Sequence, residues 1–233
     1  MFDPPVHIHK TVFMQRVLDA VSHGYHWHTS GTVPLNKAQR LAAKFGEHYA
    51  IHRNENQRAY AKRKRECNAR LFLYAPPQAK VLAWFLLATD GDGRIHEEER
   101  LRHAQDVLGR IRLDDDYELI RRTRKSDKGG GTVWSWRMTK DCERRWRERI
   151  ISACRQSHAL AITQAIGSLY RVPGFSGIRE QTGALIALAR AEWRRRHGTL
   201  DALILPPKLP YIERLPDTSL ALSQVIRQGR VET

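Results

Sequence analysis

The chain has 233 residues, 41% of them hydrophobic and 28% charged, which supports a core of one large domain or a domain with a helical annex and excludes global disorder. Its longest wholly apolar run, Val81 to Ala88, is too short to span a bilayer, and the N-terminus lacks the basic-then-apolar order of a secretion signal. Lys and Arg number 40 against 25 Asp and Glu, a formal charge of +15, which predicts a polyanionic partner, most simply nucleic acid.

In chain order, residues 11–23 are predicted to be helical, with Phe13, Val17, Leu18 and Val21 at helical spacing and Gly24 as the stop. Tyr25 to Val33 carries aromatic and β-branched residues and is predicted to be a strand. Asn36, with Gln39 three residues on, is a candidate N-cap for a helix that places Ala38, Leu41, Ala42, Phe45 and Tyr49 on one face. A basic segment follows at 52–70. Ala69–Ala75 and Val81–Ala88 are predicted strands joined through Pro76 and Pro77, the second apolar throughout, as a central strand covered on both faces would be. A turn at Asp90–Gly93 leads to a predicted helix at 96–108, with Glu97, Glu98 and Glu99 in its first turn, where the helix dipole favours acids. A hairpin is predicted at 117–138, then helices near 140–156, 158–170 and 177–197, then a Pro-punctuated extended tail.

The expected architecture is α+β. A ferredoxin-like (split βαβ) mixed or antiparallel sheet would be built from the β-α-β-β-α-β order of residues 25–124, with an added hairpin and a helical C-terminal part. The expected divisions are an α+β core at 1–139, a basic helical region at 140–200 and the tail at 201–233. Cys67, Cys142 and Cys154 are odd in number and form no CxxC pair, which speaks against a disulfide framework or structural zinc and for a reducing, cytoplasmic setting.

The cations are clustered. Segment 52–70 holds Arg53, Arg58, Lys62, Arg63, Lys64, Arg65 and Arg70 against Glu55 and Glu66. The hairpin carries Arg121, Arg122 and Arg124, with Lys125 and Lys128 in a glycine-rich loop that suits close approach to a backbone. The helical region adds Arg144, Arg145, Arg147, Arg194 and Arg195. An acid-rich stretch, Ala83 to Glu118, separates the basic regions. All these cations are candidate phosphate contacts. Trp134 and Trp136 share a face with Met138, which fits the buried side of a sheet better than a base-stacking surface. Arg70, Phe72 and Tyr74 share a strand face that resembles the stacking strand of RRM domains without their glycines; core packing is the better account of the two aromatics.

His26-Trp27-His28 on a strand resembles the His-hydrophobe-His pattern of HUH endonucleases. That resemblance implies a divalent metal held by His26 and His28, and Tyr60, or else Tyr49, as the nucleophile for DNA nicking. His7-Ile8-His9 repeats the pattern by chance. CRISPR repeat-processing ribonucleases also pair ferredoxin-like domains with a histidine, but their glycine-rich C-terminal loop is missing here. Asp90–Gly93 departs from an EF-hand at Arg94, Ile95 and Leu101, and Asp114–Asp116 fits a solvated loop better than a magnesium site. No Walker A, GxGxxG, GxSxG or HExxH motif occurs.

The expected function is therefore a non-enzymatic nucleic-acid-binding protein acting through phosphate contacts, an accessory of a plasmid, phage or defence system, with no cofactor and no membrane partner. The alternatives are the HUH-type nuclease with its metal, or an RNA-binding or RNA-processing subunit bound to other proteins of a ribonucleoprotein.

Overall fold

A computed structural model of the protein describes residues 2–76, 78–124, 129–156, 158–206, 208–209 and 211–231. It is an α+β structure with eight helices and two sheets among the described residues. In chain order the elements are β1 (Pro5–His7), α1 (Lys10–Ser22), β2 (Trp27–Pro34), α2 (Leu35–Tyr49), α3 (Glu55–Arg63), β3 (Ala69–Tyr74), β4 (Val81–Ala88), α4 (Arg94–Glu98) and β5 (Arg102–His103). There follow β6 (Arg112–Leu113), β7 (Tyr117–Thr123), β8 (Thr132–Met138), α5 (Lys140–Cys154), α6 (Leu160–Leu169), α7 (Ser176–His197), β9 (Ser219–Ala221) and α8 (Leu222–Val231). Among the described residues no helix is long and apolar enough to cross a membrane.

The chain forms two compact units, one of Met1–Arg110 with Arg214–Thr233 and one of Ile111–Glu213. The first holds a six-stranded mixed sheet in the order β5-β2-β4-β3-β1-β9, in which β1 and β3 are parallel. The uniformly apolar β4 lies between β2 and β3, and its two faces meet different helices. Trp84 packs against Phe45 of α2 at a ring distance of 5.4 Å, and Phe85 packs against Phe13 of α1 at 5.2 Å. Cover on both sides is why the strand shows no alternation. On α2 the spacing of Ala38, Ala42, Phe45 and Tyr49 produces the buried stripe expected of it.

Several expectations are corrected. Asn36 is not an N-cap: α2 starts at Leu35, and the capping position is Pro34, whose preset φ of −58° lets β2 run directly into the helix. The helix expected at 96–108 stops at Glu98, because the chain beyond it is taken by the edge of β2, where Trp27 pairs with His103 and His28 with Arg102. Leu108 is left 91% exposed. The strand needed to complete a split βαβ order, β7, belongs to a separate sheet, β6-β7-β8. The tail is not simply extended: β9 pairs antiparallel with β1, and Leu222 and Val225 of α8 enter the same core as Ala38 and Ala42.

In the second unit the hairpin β7–β8 packs on α7, so it groups with the three helices and not with the first sheet. Gly177 permits the contact, since a Cβ there would stand 2.5 Å from the Trp136 carbonyl oxygen. The Gly177 N–H donates to Ser135 Oγ, and Gln181 bonds both the N–H and the carbonyl of Met138.

Candidate nucleic-acid interface

The basic segment is a braced helix. At Asn54 the side chain accepts from the Gln57 N–H while Gln57 Oε1 accepts from the Asn54 N–H, a reciprocal cap on α3. Ala61 is the buried anchor of that helix. Beyond it, Asp92 clamps the chain: its N–H donates to the Arg65 carbonyl, and its own carbonyl accepts from the Cys67 N–H. The Asp90–Gly93 turn therefore serves as a backbone clasp. Gly91, at φ +121°, lets it approach the Arg65 carbonyl to where a Cβ would be 2.5 Å away.

The seven cations expected to act together divide by environment. Arg53 is spent on the fold, donating to the Cys67 carbonyl and pairing with Glu66 at 3.1 Å. Arg58 donates to the Arg53 carbonyl. Arg70 lies half-buried against the rings of Phe72 (5.0 Å) and Tyr25 (5.9 Å), and burial pushes its pKa down. Lys62, Arg63, Lys64 and Arg65 are exposed and make no ion pair among the described residues. Arg65 sits at φ +62°, a left-handed conformation uncommon for a side chain with a Cβ, held by the Asp92 clamp. The Lys64 Nζ lies 4.7 Å from the ring of Tyr60.

In the second unit, Arg122 pairs with Glu180, Arg144 with Asp141, Arg145 with Asp116 and Arg195 with Glu192, while Arg121 donates to Thr132 Oγ1. Arg124, Arg147 and Arg194 are exposed and outside ion pairs among the described residues. Arg155, which sequence reasoning did not single out, lines a hollow with Arg195 and Arg196 at the C-terminal ends of α5 and α7. Their basic character at helix ends was the available signal, and the dipole alone accounts for it. Lys125 and Lys128 lie outside the described residues. Trp136 and Met138 are fully buried, so that face of β8 is core.

The HUH arrangement is not formed. His28 is buried, and its Nε2 donates to the Gly109 carbonyl at 2.6 Å. Its Nδ1 is enclosed without a partner, so neither nitrogen faces a metal. Burial, then the neighbouring charges of Arg102 and His103, push its pKa down to about 4. His26 lies outside β2 with its ring 5.6 Å from that of His103. Among the described residues no three His, Cys, Asp or Glu side chains come together as a metal site. Tyr49 donates to Glu99 at 2.7 Å, and burial with that carboxylate pushes its pKa up, opposite to what a nucleophile needs. Tyr60 is exposed on α3, beside Lys64. What the arrangement offers chemically is exposed positive charge at the end of a capped helix.

No family model, curated protein or solved structure matches the chain.

Proposed function

We propose that the protein binds nucleic acid by phosphate contacts centred on Lys62, Arg63, Lys64 and Arg65. The observation that carries this reading is that four consecutive cations are exposed and unpaired on a braced helix end, in a chain where most other candidate arginines are engaged by carboxylates or carbonyls. The helix dipole accounts for cations in the last turn of α3, but the run continues past the helix through Lys64 to Arg65, and a phosphate-binding surface needs such free charge. Arg124, Arg147 and Arg194 are the supporting contacts in the second unit.

The test is the salt dependence of binding. Replacing Lys62, Arg63, Lys64 and Arg65 together by Gln is expected to weaken affinity and to make the slope of log K against log salt shallower by about 3. An unchanged slope would remove the assignment. A second reading, a subunit of a nucleoprotein complex, is favoured by one observation: Val107 and Leu108 are adjacent and 65% and 91% exposed, an apolar pair that a protein partner would cover. Replacing both by Ser is then expected to abolish co-assembly while leaving the salt slope of nucleic-acid binding as it was.

A further inference from the structure

Among the described Phe, Tyr and Trp rings of the first unit, Tyr60 is the most open to solvent. It is 56% exposed, whereas Phe13, Tyr25, Phe45, Phe72 and Phe85 are buried and Phe2, Trp27 and Trp84 are half-buried. Its position on α3 explains the exposure: Ala61 is the residue that faces the core, so the side chain before it is turned outward. One turn on, Lys64 reaches back over the ring, with its Nζ 4.7 Å from the centroid. Arg63, three residues on, shares that side of the helix, while Lys62 and Arg65 are exposed close by in sequence, and none of the four cations is in an ion pair among the described residues.

A duplex presents phosphates to these side chains but keeps its bases stacked inside. A single strand presents phosphates and unstacked base faces together. We infer that this end of α3 takes single-stranded nucleic acid in preference to duplex, with Tyr60 stacking one base while Arg63 and Lys64, on its side of the helix, meet the adjacent backbone phosphates and Lys62 and Arg65 add to the local positive charge. The inference rests on the nucleic-acid reading above and gives Tyr60 a binding role in place of a nucleophilic one. The Lys64 side chain is long and flexible, and it leaves the ring for a phosphate when a base arrives.

The experiment uses the full chain, with fluorescence anisotropy on a labelled oligothymidylate and on a hairpin duplex of equal length, each over a range of salt. The wild-type chain is expected to bind the single strand more tightly. Tyr60→Leu keeps the bulk and removes the π-face, and it is expected to lower the ratio of single-strand to duplex affinity about tenfold. Because no charge is lost, the salt slope of that variant is expected to match the wild type. Tyr60→Phe is expected to bind the single strand about tenfold more tightly than Tyr60→Leu. Circular dichroism checks that both variants fold. A ratio unmoved by Tyr60→Leu, or a wild-type preference for duplex, overturns this inference and leaves the phosphate reading standing. Failure of the wild-type chain to bind either polymer at low salt overturns both.

Discussion

Acidification is expected to destabilise the first unit through His28, and the size of the effect follows from its surroundings. The side chain sits on β2 at 2% exposure, with Nε2–H donated to Gly109 and Nδ1 enclosed. Burial disfavours the imidazolium first, and Arg102 and His103 add repulsion, so protonation falls from the ordinary 6.5 to about 4 in spite of the Gly109 carbonyl. The unfolded chain takes up its proton near the ordinary value, while the folded chain refuses it until about 4. Unfolding in that window therefore consumes a proton. The stabilisation is complete above the unfolded value and is lost progressively as pH falls toward the folded one. At roughly 1.4 kcal/mol for each tenfold change in proton affinity, the full drop is worth about 3 kcal/mol. Urea unfolding at a series of pH values measures it. In His28→Leu the baseline stability is lower, because the Gly109 carbonyl loses its donor. The dependence on pH across the window is expected to flatten by roughly 1.4 kcal/mol per pH step. A residual slope remains from His7, also buried with its pKa pushed down by burial. Equal slopes in the two proteins would refute the assignment of the acid sensitivity to His28.

Three further outcomes are expected. Gly109→Ala places a Cβ 2.2 Å from the His103 carbonyl oxygen, so backbone must move; a loss of about 2 kcal/mol or more is expected in thermal melting, and an unshifted melting temperature would show that the loop adapts freely. Arg137→Leu removes the nearer cation of the buried Glu118 carboxylate, which Arg137 approaches to 2.5 Å while Arg112 remains at 3.8 Å, and is expected to cost about 2 kcal/mol in urea unfolding. By comparison, Arg144→Ala removes an exposed pair and is expected to change stability by less than about 1 kcal/mol; equal losses at the two sites would contradict the distinction. Asn54→Ala breaks the cap on α3 and is expected to cost about 1 kcal/mol, read as faster amide exchange in that helix together with weaker nucleic-acid binding.

Much of the fold follows from short-range pattern. The apolar spacing of α1 and α2, the unbroken run of β4, the hairpin around its glycines and Gly198 at the end of α7 all depend on neighbours within a turn or a few residues, and the sequence by itself determined them. Period and burial share one geometry, so a residue's face can be read without knowing what covers it. What covers it is a different question. The sheet that β7 joins, the early stop of α4 and the return of the tail as β9 beside β1 were settled by pairings across long separations.

The candidate site divides in the same way. Net charge and clustering pointed to a polyanion from composition alone. Which cations are available depends on partners far along the chain: Glu180 stands 58 residues from Arg122, and Asp116 stands 29 from Arg145. The His-x-His pattern failed for the same reason, since one of its rings is held by a carbonyl 81 residues away. Charge belongs to each residue, but whether it is free is a property of packing. The sequence therefore determined that the molecule carries an excess of +15, and only the tertiary structure decided that a compact share of it, Lys62 to Arg65, is exposed and outside ion pairs among the described residues.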